Sequence, residues 1–207
     1  MRKKGWFPVV YMFLITAFFS SIVIGFSYIT NSKVEANEDL AFEKAILNVL
    51  PDLFKSGTKR YELHRIFVEQ VSKPDETSGG AYMLKEAGKI VAYALPISGQ
   101  GFWAPIKGAI GIKADRRTIT GIAFYQQNET PGLGAQITKD TFRNQFKGKI
   151  ISSTGKPLNI KRPTDTLRQS DVHAVTGATQ TSTRLEKIIN EDLKNWLSKL
   201  TQANREG

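Results

Sequence analysis

Hydroxyl side chains cluster in residues 172–182, where a predicted amphipathic helix begins near Thr179. The cluster consists of Thr176, Thr179, Thr181 and Ser182. The first turn of a helix carries backbone N–H groups without intrahelical acceptors and the positive end of the helix dipole, so it attracts a phosphate group. A threonine hydroxyl at the same place could itself be bonded to that phosphate. The simpler interpretation is that Thr179 or Thr181 only caps the helix, because threonine is a common N-cap residue.

Two earlier segments contain glycines that would let the backbone approach a flat ligand closely. Residues 129–134 include Pro131 followed by Gly132, a pair that suits the centre of a type II turn. Residues 97–108 include Trp103 shortly after two glycines. The residue types alone favour an ordinary turn in the first segment and a core position for Trp103.

The composition excludes several kinds of active site. The chain has no cysteine, which rules out thiolate metal sites, iron–sulfur clusters and c-type haem attachment. It has only two histidines, too few for a histidine-rich metal site. It also has neither a Gly-x-Ser-x-Gly sequence nor a Rossmann fingerprint. We therefore predict no catalytic residue and no metal ligand.

The formal net charge is +10, and most of the excess is spread along the chain. A spread positive excess suits an anionic cofactor, an acidic partner or a membrane surface. The sequence has no zinc-finger or RRM signature, so we do not expect it to bind nucleic acid.

Residues 5–32 contain no charged side chain and are long enough to form a transmembrane helix. Trp6 and Tyr28 lie near its two ends, where aromatic rings favour the membrane interface. The cations at residues 2–4 predict a cytoplasmic N-terminus and an exported remainder. We expect a cytoplasmic N-terminus and anchor over residues 1–32, in contact with lipid, and one exported domain over residues 33–207. A cleaved signal peptide is the alternative, although its apolar core would be shorter.

The exported part shows alternating helical and strand patterns. We predict a helix over residues 37–50 capped by Asn37, a strand of ambiguous period over residues 61–71, and a short helix over residues 138–146. Two hairpins are predicted, one joining residues 81–85 to 89–97 and the other joining residues 108–114 to 118–125. A loop over residues 152–170 and a final helix over about residues 179–200 follow. The predicted class is α+β, with a mostly antiparallel sheet flanked by helices.

Three segments together resemble a family of membrane flavoproteins. They are residues 97–108, residues 129–134 and Thr176-Gly177-Ala178-Thr179. In order and spacing they are similar to the C subunit of the sodium-pumping NADH:quinone oxidoreductase (Nqr) and to the related G subunit of Rnf ion-pumping complexes. The resemblance implies an FMN-binding domain whose FMN is joined to Thr179 by a phosphoester. A dedicated flavin transferase that uses FAD and magnesium would form this bond and release AMP.

The resemblance also implies roles for the neighbouring residues. Glu129, Thr130, Leu133 and Gly134 would line the flavin pocket, and Trp103 could pack against the dimethylbenzene end of the ring. Five residues would shape the turn and donate hydrogen bonds to the phosphate: Thr176, Gly177, Ala178, Thr181 and Ser182. Thr181 is the rival attachment site.

One residue departs from the family pattern. The family usually has an acid six residues before the modified threonine, where this chain has His173. Two interpretations are open: Asp171 substitutes for that acid through a shifted loop, or the chain is modified poorly. His173 itself is expected to be a surface or packing residue.

The function implied is electron relay within a membrane complex that oxidises NADH, reduces quinone and moves sodium ions. Other membrane subunits would supply the NADH site and the ion path. The location implied is the bacterial inner membrane, with the domain on the periplasmic or extracytoplasmic side. The alternatives are an Rnf-type G subunit, a stand-alone anchored flavoprotein, and a non-redox tethered binding module.

Overall fold

The computed structural model describes residues 6–55 and 57–206, without the side chains of residue 32 and residues 204–206. The chain divides into two compact units, Met1–Asp39 and Leu40–Gly207. The basic residues 2–4, from which the N-terminal orientation was predicted, lie outside the described residues.

The first unit contains most of helix α1 (Phe7–Val49). Within α1, residues Phe7–Asn31 are long and apolar enough to cross a membrane, by length and composition alone. The predicted helix start at Asn37 is wrong, because α1 runs through this residue without a break.

The second unit is built on a five-stranded sheet in which every neighbouring pair is antiparallel. The strands follow the order of the chain: β1 (Val71–Ser72), β2 (Tyr82–Glu86), β3 (Lys89–Gln100), β4 (Pro105–Lys113) and β5 (Ile119–Gln126). Both predicted hairpins are confirmed. The turn between β2 and β3 has positive φ angles at Ala87 and Gly88, as a two-residue hairpin connection requires.

Helices cover both faces of this sheet. The final helix, α4 (Thr179–Glu206), packs on the face that carries the large side chains of the strands. These are Tyr93, Leu95, Ile97, Ile106, Ile110, Ile112 and Ile122. The opposite face carries alanines, and the end of α1 and helix α2 (Arg60–Gln70) pack there. The predicted α+β class, with an antiparallel sheet between helices, is confirmed.

Other predictions differ in detail. Residues 61–70 are not a strand but belong to α2, in which Leu63, Ile66 and Phe67 have the i, i+3, i+4 spacing that puts them on one face. Only Val71 of the predicted strand is in one, as the first residue of β1. The predicted short helix is broken into 3-10 turns around α3 (Asp140–Arg143). The predicted loop 152–170 contains β6 (Asn159–Lys161), which pairs in parallel with β7 (Asp171–His173).

A pair of facing glycines tests how closely α1 approaches the sheet. Gly111 of β4 pairs with Gly121 of β5, but a Cβ at Gly111 would clash with the Thr120 hydroxyl oxygen and with the carbonyl oxygen of Val49, whereas one at Gly121 meets nothing within 4 Å. We expect Gly111→Ala to lower the free energy of unfolding by about 2–3 kcal/mol, as overpacking a core does. Gly121→Ala is the matched control and should be nearly neutral in denaturant unfolding. Equal losses in the two variants would contradict this close contact.

Candidate functional site

The segment after β5 forms the type II turn predicted for Pro131 and Gly132. The Leu133 N–H donates to the Thr130 carbonyl oxygen at 3.1 Å, and Gly132 has a φ of 76°. The turn leads directly into a 3-10 turn over Gly134–Thr138. It therefore fixes the chain direction just beyond Glu129.

Glu129 is a buried carboxylate, with 4% of its surface exposed. Its Oε1 accepts hydrogen bonds from the N–H groups of Phe102 at 2.8 Å and Trp103 at 3.3 Å. Its Oε2 accepts one from the Thr181 hydroxyl at 2.6 Å. A single side chain thus joins the loop after β3, the segment after β5 and the first turn of α4.

Two glycines make room for this carboxylate. A Cβ at Gly101 would lie 2.6 Å from Glu129 Oε1, and a Cβ at Gly134 would lie 2.9 Å from Oε2 and 2.5 Å from the Thr181 hydroxyl oxygen. Real Cβ atoms do not come this close to such atoms. Both positions therefore need glycine, and Gly101 needs it also because its Cβ would lie 2.6 Å from the Ala104 carbonyl oxygen.

Helix α4 begins without a side-chain cap from its threonines. The Ser182 N–H donates to the Ala178 carbonyl oxygen at 3.0 Å, so Ala178 occupies the N-cap position, where alanine is disfavoured. Within the described residues, the N–H groups of Thr179, Gln180 and Thr181 have no hydrogen-bond acceptor. The turn before them has Gly177 at a φ of 77°. The first turn of α4 therefore offers three free donors to an anion.

The four hydroxyls of the cluster have different surroundings. Thr181 is buried and donates to Glu129, and Ser182 is buried and accepts from the Val175 N–H at 3.3 Å. Thr176 and Thr179 are exposed, and neither hydroxyl makes a hydrogen bond within the part of the chain that the structure describes. Of the two threonines considered for attachment, Thr179 is the accessible one.

A cleft of about 210 Å³ lies beside Thr179. It is lined by Phe102, Glu129, Thr130, Leu133, Gly134, Gly177, Ala178, Thr179, Gln180 and Thr181. Phe102 and Leu133 are both partly exposed there. The structure thus brings together the 129–134 segment and the hydroxyl cluster, which lie about 50 residues apart in the chain.

Trp103 is not among the residues that line this cleft, and it is not a core residue either, since 65% of its surface is exposed. Its indole N–H donates to the Thr130 hydroxyl at 3.1 Å, and its ring contacts the Phe102 ring edge-on, with centroids 4.9 Å apart. Phe102, which we did not predict as a site residue, lines the cleft itself. Its position after two glycines and beside Trp103 was the only signal.

A larger cavity of about 540 Å³ shares Gly177 and Thr179 with the cleft and is lined beyond them by Lys161 and Arg162. The Ile160 N–H donates to Glu186 of α4 at 2.7 Å, which holds β6 against the helix. Lys161 and Arg162 therefore line a cavity that Thr179 also lines. The sequence shows them as a basic pair, but nothing in it assigns them to this site.

His173 and Asp171 both have structural partners. The His173 ring contacts the Asp165 carbonyl oxygen through Nε2 at 3.0 Å. Asp171 is buried and accepts from the Asn159 amide and the Arg168 N–H. Burial alone would raise the pKa of Asp171, but these hydrogen bonds and the nearby Lys161 and Arg168 hold it below its ordinary value. Asp171 therefore stabilises the β6–β7 pair.

The segment that carries this site is similar to known proteins. Residues 101–194 match the FMN-binding domain. The C subunit of the Na+-translocating NADH-quinone reductase of Chlamydia pneumoniae is 45% identical over 86 residues, which cover 42% of this chain and 27% of that protein. The G subunit of the proton-translocating ferredoxin:NAD+ oxidoreductase complex of Clostridium ljungdahlii is 28% identical over 187 residues, covering 89% and 88%.

A solved structure agrees with the sequence matches. The crystal structure of the C subunit of the Na+-translocating NADH-quinone reductase from Parabacteroides distasonis superposes with a TM-score of 0.70 and 26% identity, covering 83% of this chain and 96% of that one. The chain spans between about a quarter and a half of the length of the curated Nqr relatives that it matches.

Every residue that lines the cleft lies within the segment that matches the FMN-binding domain. More particularly, the predicted resemblance to the C subunit of Nqr and to the G subunit of Rnf complexes is confirmed.

The hydrogen bond from Thr181 to Glu129 can be tested by itself. We expect Thr181→Val to lower the free energy of unfolding by about 1–3 kcal/mol, because it leaves a buried carboxylate oxygen without its donor. Thr183→Val, at an exposed position of the same helix, should change it by less than about 0.5 kcal/mol. Denaturant unfolding of the two variants measures the difference. Similar values for both would show that the hydrogen bond is not formed in solution.

Proposed function

We propose that the chain is an electron-carrying subunit of an ion-translocating membrane oxidoreductase and that it holds FMN covalently as a phosphoester of Thr179. The observation that carries this proposal is the first turn of α4. It combines an exposed threonine hydroxyl with three backbone N–H groups that lack an acceptor among the described residues.

The residues around Thr179 fit a phosphate. The donors of Gln180 and Thr181 and the helix dipole favour a negative group at this end of α4. Lys161 and Arg162 line the adjoining cavity and add positive charge. Attachment joins the Thr179 oxygen to the flavin-side phosphorus of FAD, while AMP leaves and the hydroxyl proton passes to the transferase.

The cleft fits the role of a holder for a tethered ring. Its volume of about 210 Å³ lies below the range of about 300–1,000 Å³ typical of small-molecule sites. A ligand held only by this cleft would lose much of its binding energy to the entropy of association, whereas a covalent bond keeps the local concentration high. Phe102 and Leu133 supply the apolar contact that a flat aromatic ring needs.

FMN, when bound, supplies the one- or two-electron chemistry that no side chain of this protein can perform. The chain contributes binding and orientation. Thr179 would anchor the FMN, the free N–H groups would donate hydrogen bonds to its phosphate, and Phe102 and Leu133 would cover part of the ring. Glu129 fixes the segments that carry these residues. No acid–base residue is required.

We propose that this carrier serves a sodium pump that oxidises NADH and reduces quinone, with Phe7–Asn31 as its membrane anchor and the second unit on the periplasmic side. The support is the similarity to the C subunits of Na+-translocating NADH-quinone reductases over the FMN-binding domain. The NADH site and the ion path would belong to other membrane subunits.

A second candidate is an Rnf-type G subunit. Its support is length, since the alignment to the Clostridium ljungdahlii protein covers 88% of that relative. The name of that relative gives protons as the ion. Isolation of the complex from the native membrane distinguishes the two, because the first predicts sodium-stimulated quinone reduction and the second predicts ferredoxin-dependent NAD+ reduction.

The basic proposal is tested by producing the full chain with and without a flavin transferase. We expect yellow fluorescence that stays with the protein on a denaturing gel only when the transferase is present. The attached flavin should lose its visible absorbance with dithionite and recover it in air. A colourless protein would favour the non-redox binding module.

A further inference from the structure

Arg184, a cationic residue, contacts Phe102, an aromatic residue that lines the cleft. Arg184 lies on α4, three residues after the buried Thr181, and its guanidinium carbon is 6.0 Å from the centre of the Phe102 ring. Phe102 is a lining residue of the cleft beside Thr179. Phe102 therefore lines the cleft and also lies at a distance from a positive charge that is typical of a cation–π contact.

The charge of Arg184 is not neutralised by a carboxylate. No ion pair joins Arg184 to an acid within the described residues, and its Nε is buried without a hydrogen-bond partner there. Burying an unpaired guanidinium nitrogen costs free energy, so purely structural positions usually pair it. Lys187, one turn further along α4, shows the ordinary case, since its exposed ammonium lies 3.7 Å from Glu191.

The carboxylate of Glu129, which lines the cleft, already has hydrogen-bond donors for both of its oxygens. Glu129 accepts hydrogen bonds from Phe102, Trp103 and Thr181. These donors reduce the negative potential that Glu129 would project into the cleft. Arg184 then contributes a fixed positive potential next to Phe102, and a partly buried charge is screened less than an exposed one.

From this arrangement we propose that Arg184 is a positioning and redox-tuning residue of the cleft. It holds the Phe102 ring in place and raises the reduction potential of the flavin. The inference rests on the proposed function. Reduction of FMN by two electrons and one proton adds one negative charge to the ring system, and a nearby fixed cation stabilises that charged product more than the neutral oxidised ring.

The test is the midpoint potential of the FMN-loaded full chain, produced with a flavin transferase and titrated spectroelectrochemically. We expect Arg184→Gln to make the midpoint potential more negative. Arg184→Lys keeps the charge and should stay closer to the unmodified protein. Lys187→Gln removes the same charge from an exposed, ion-paired position of the same helix and should leave the potential unchanged.

Several outcomes would overturn the inference. The inference is contradicted if Arg184→Gln carries flavin whose midpoint potential is unchanged. It is also contradicted if Arg184→Gln and Lys187→Gln shift the midpoint potential equally. If Arg184→Gln does not fold, a potential in Arg184→Lys that falls well below that of Lys187→Gln contradicts it too. Absence of flavin from the unmodified chain would instead overturn the proposed function, and this inference with it.

Discussion

Replacing Thr179 by alanine is expected to abolish covalent flavinylation. The hydroxyl oxygen of Thr179 is the atom proposed to carry the phosphoester, and the other exposed hydroxyl of the cluster, that of Thr176, lies on the turn before the helix. The Thr179→Ala protein should therefore show no flavin fluorescence on a denaturing gel. Its free energy of unfolding should stay within about 0.5 kcal/mol, since Thr179 is exposed.

The matched control for this variant is Thr176→Ala. Thr176 is also exposed and also makes no hydrogen bond within the described chain, so its loss should leave most of the labelling intact. If labelling persists in Thr179→Ala and disappears in Thr176→Ala, the flavin is attached to Thr176. Labelling that disappears only in Thr181→Val would identify the rival threonine, contrary to the burial of its hydroxyl.

Replacing Glu129 by alanine should have the largest combined effect on stability and labelling. The substitution leaves the N–H of Phe102, the N–H of Trp103 and the Thr181 hydroxyl without their acceptor. Because even one unsatisfied buried group costs about 1–3 kcal/mol, we expect a loss of about 3 kcal/mol or more in unfolding free energy. The released first turn of α4 should also misplace Thr179 and slow flavin attachment by about a hundredfold.

Glu129→Gln separates the two effects. The amide keeps one oxygen for the N–H groups, and its NH2 group can donate to the Thr181 oxygen. We expect a loss of about 1 kcal/mol and attachment within several-fold of the unmodified chain, measured from the time course of gel fluorescence. If flavin attaches to the Glu129→Ala protein as fast as to the unmodified chain, the hydrogen bonds of Glu129 do not position Thr179.

Local patterns in the sequence were enough to predict the main frame of the fold. The two hairpins and α4 follow from period-two and period-3.6 repetition of apolar residues, which does not depend on distant contacts. Residues 61–71 were ambiguous because their apolar and polar side chains follow neither the strand period nor the helix period clearly. Packing of Leu63 and Phe67 against the alanine face of the sheet decides for the helix.

The site itself was predictable only in part. The type II turn at Pro131 and Gly132 is a local property of two residues and was predicted from them. The network of Glu129 was not, because its partners lie 27, 26 and 52 residues away in the sequence. Phe102 and Arg184 were not predicted as site residues for the same reason. Nothing in the sequence marks an aromatic residue or an arginine as part of a site until the fold brings the two together.

The most direct measurement is peptide mapping by tandem mass spectrometry of the full chain produced with a flavin transferase. We expect the peptide containing residue 179 to carry the added mass of FMN less water, with fragment ions that place this mass on Thr179. A peptide that is unmodified at residue 179, in a preparation where the transferase labels a known substrate, would contradict the account.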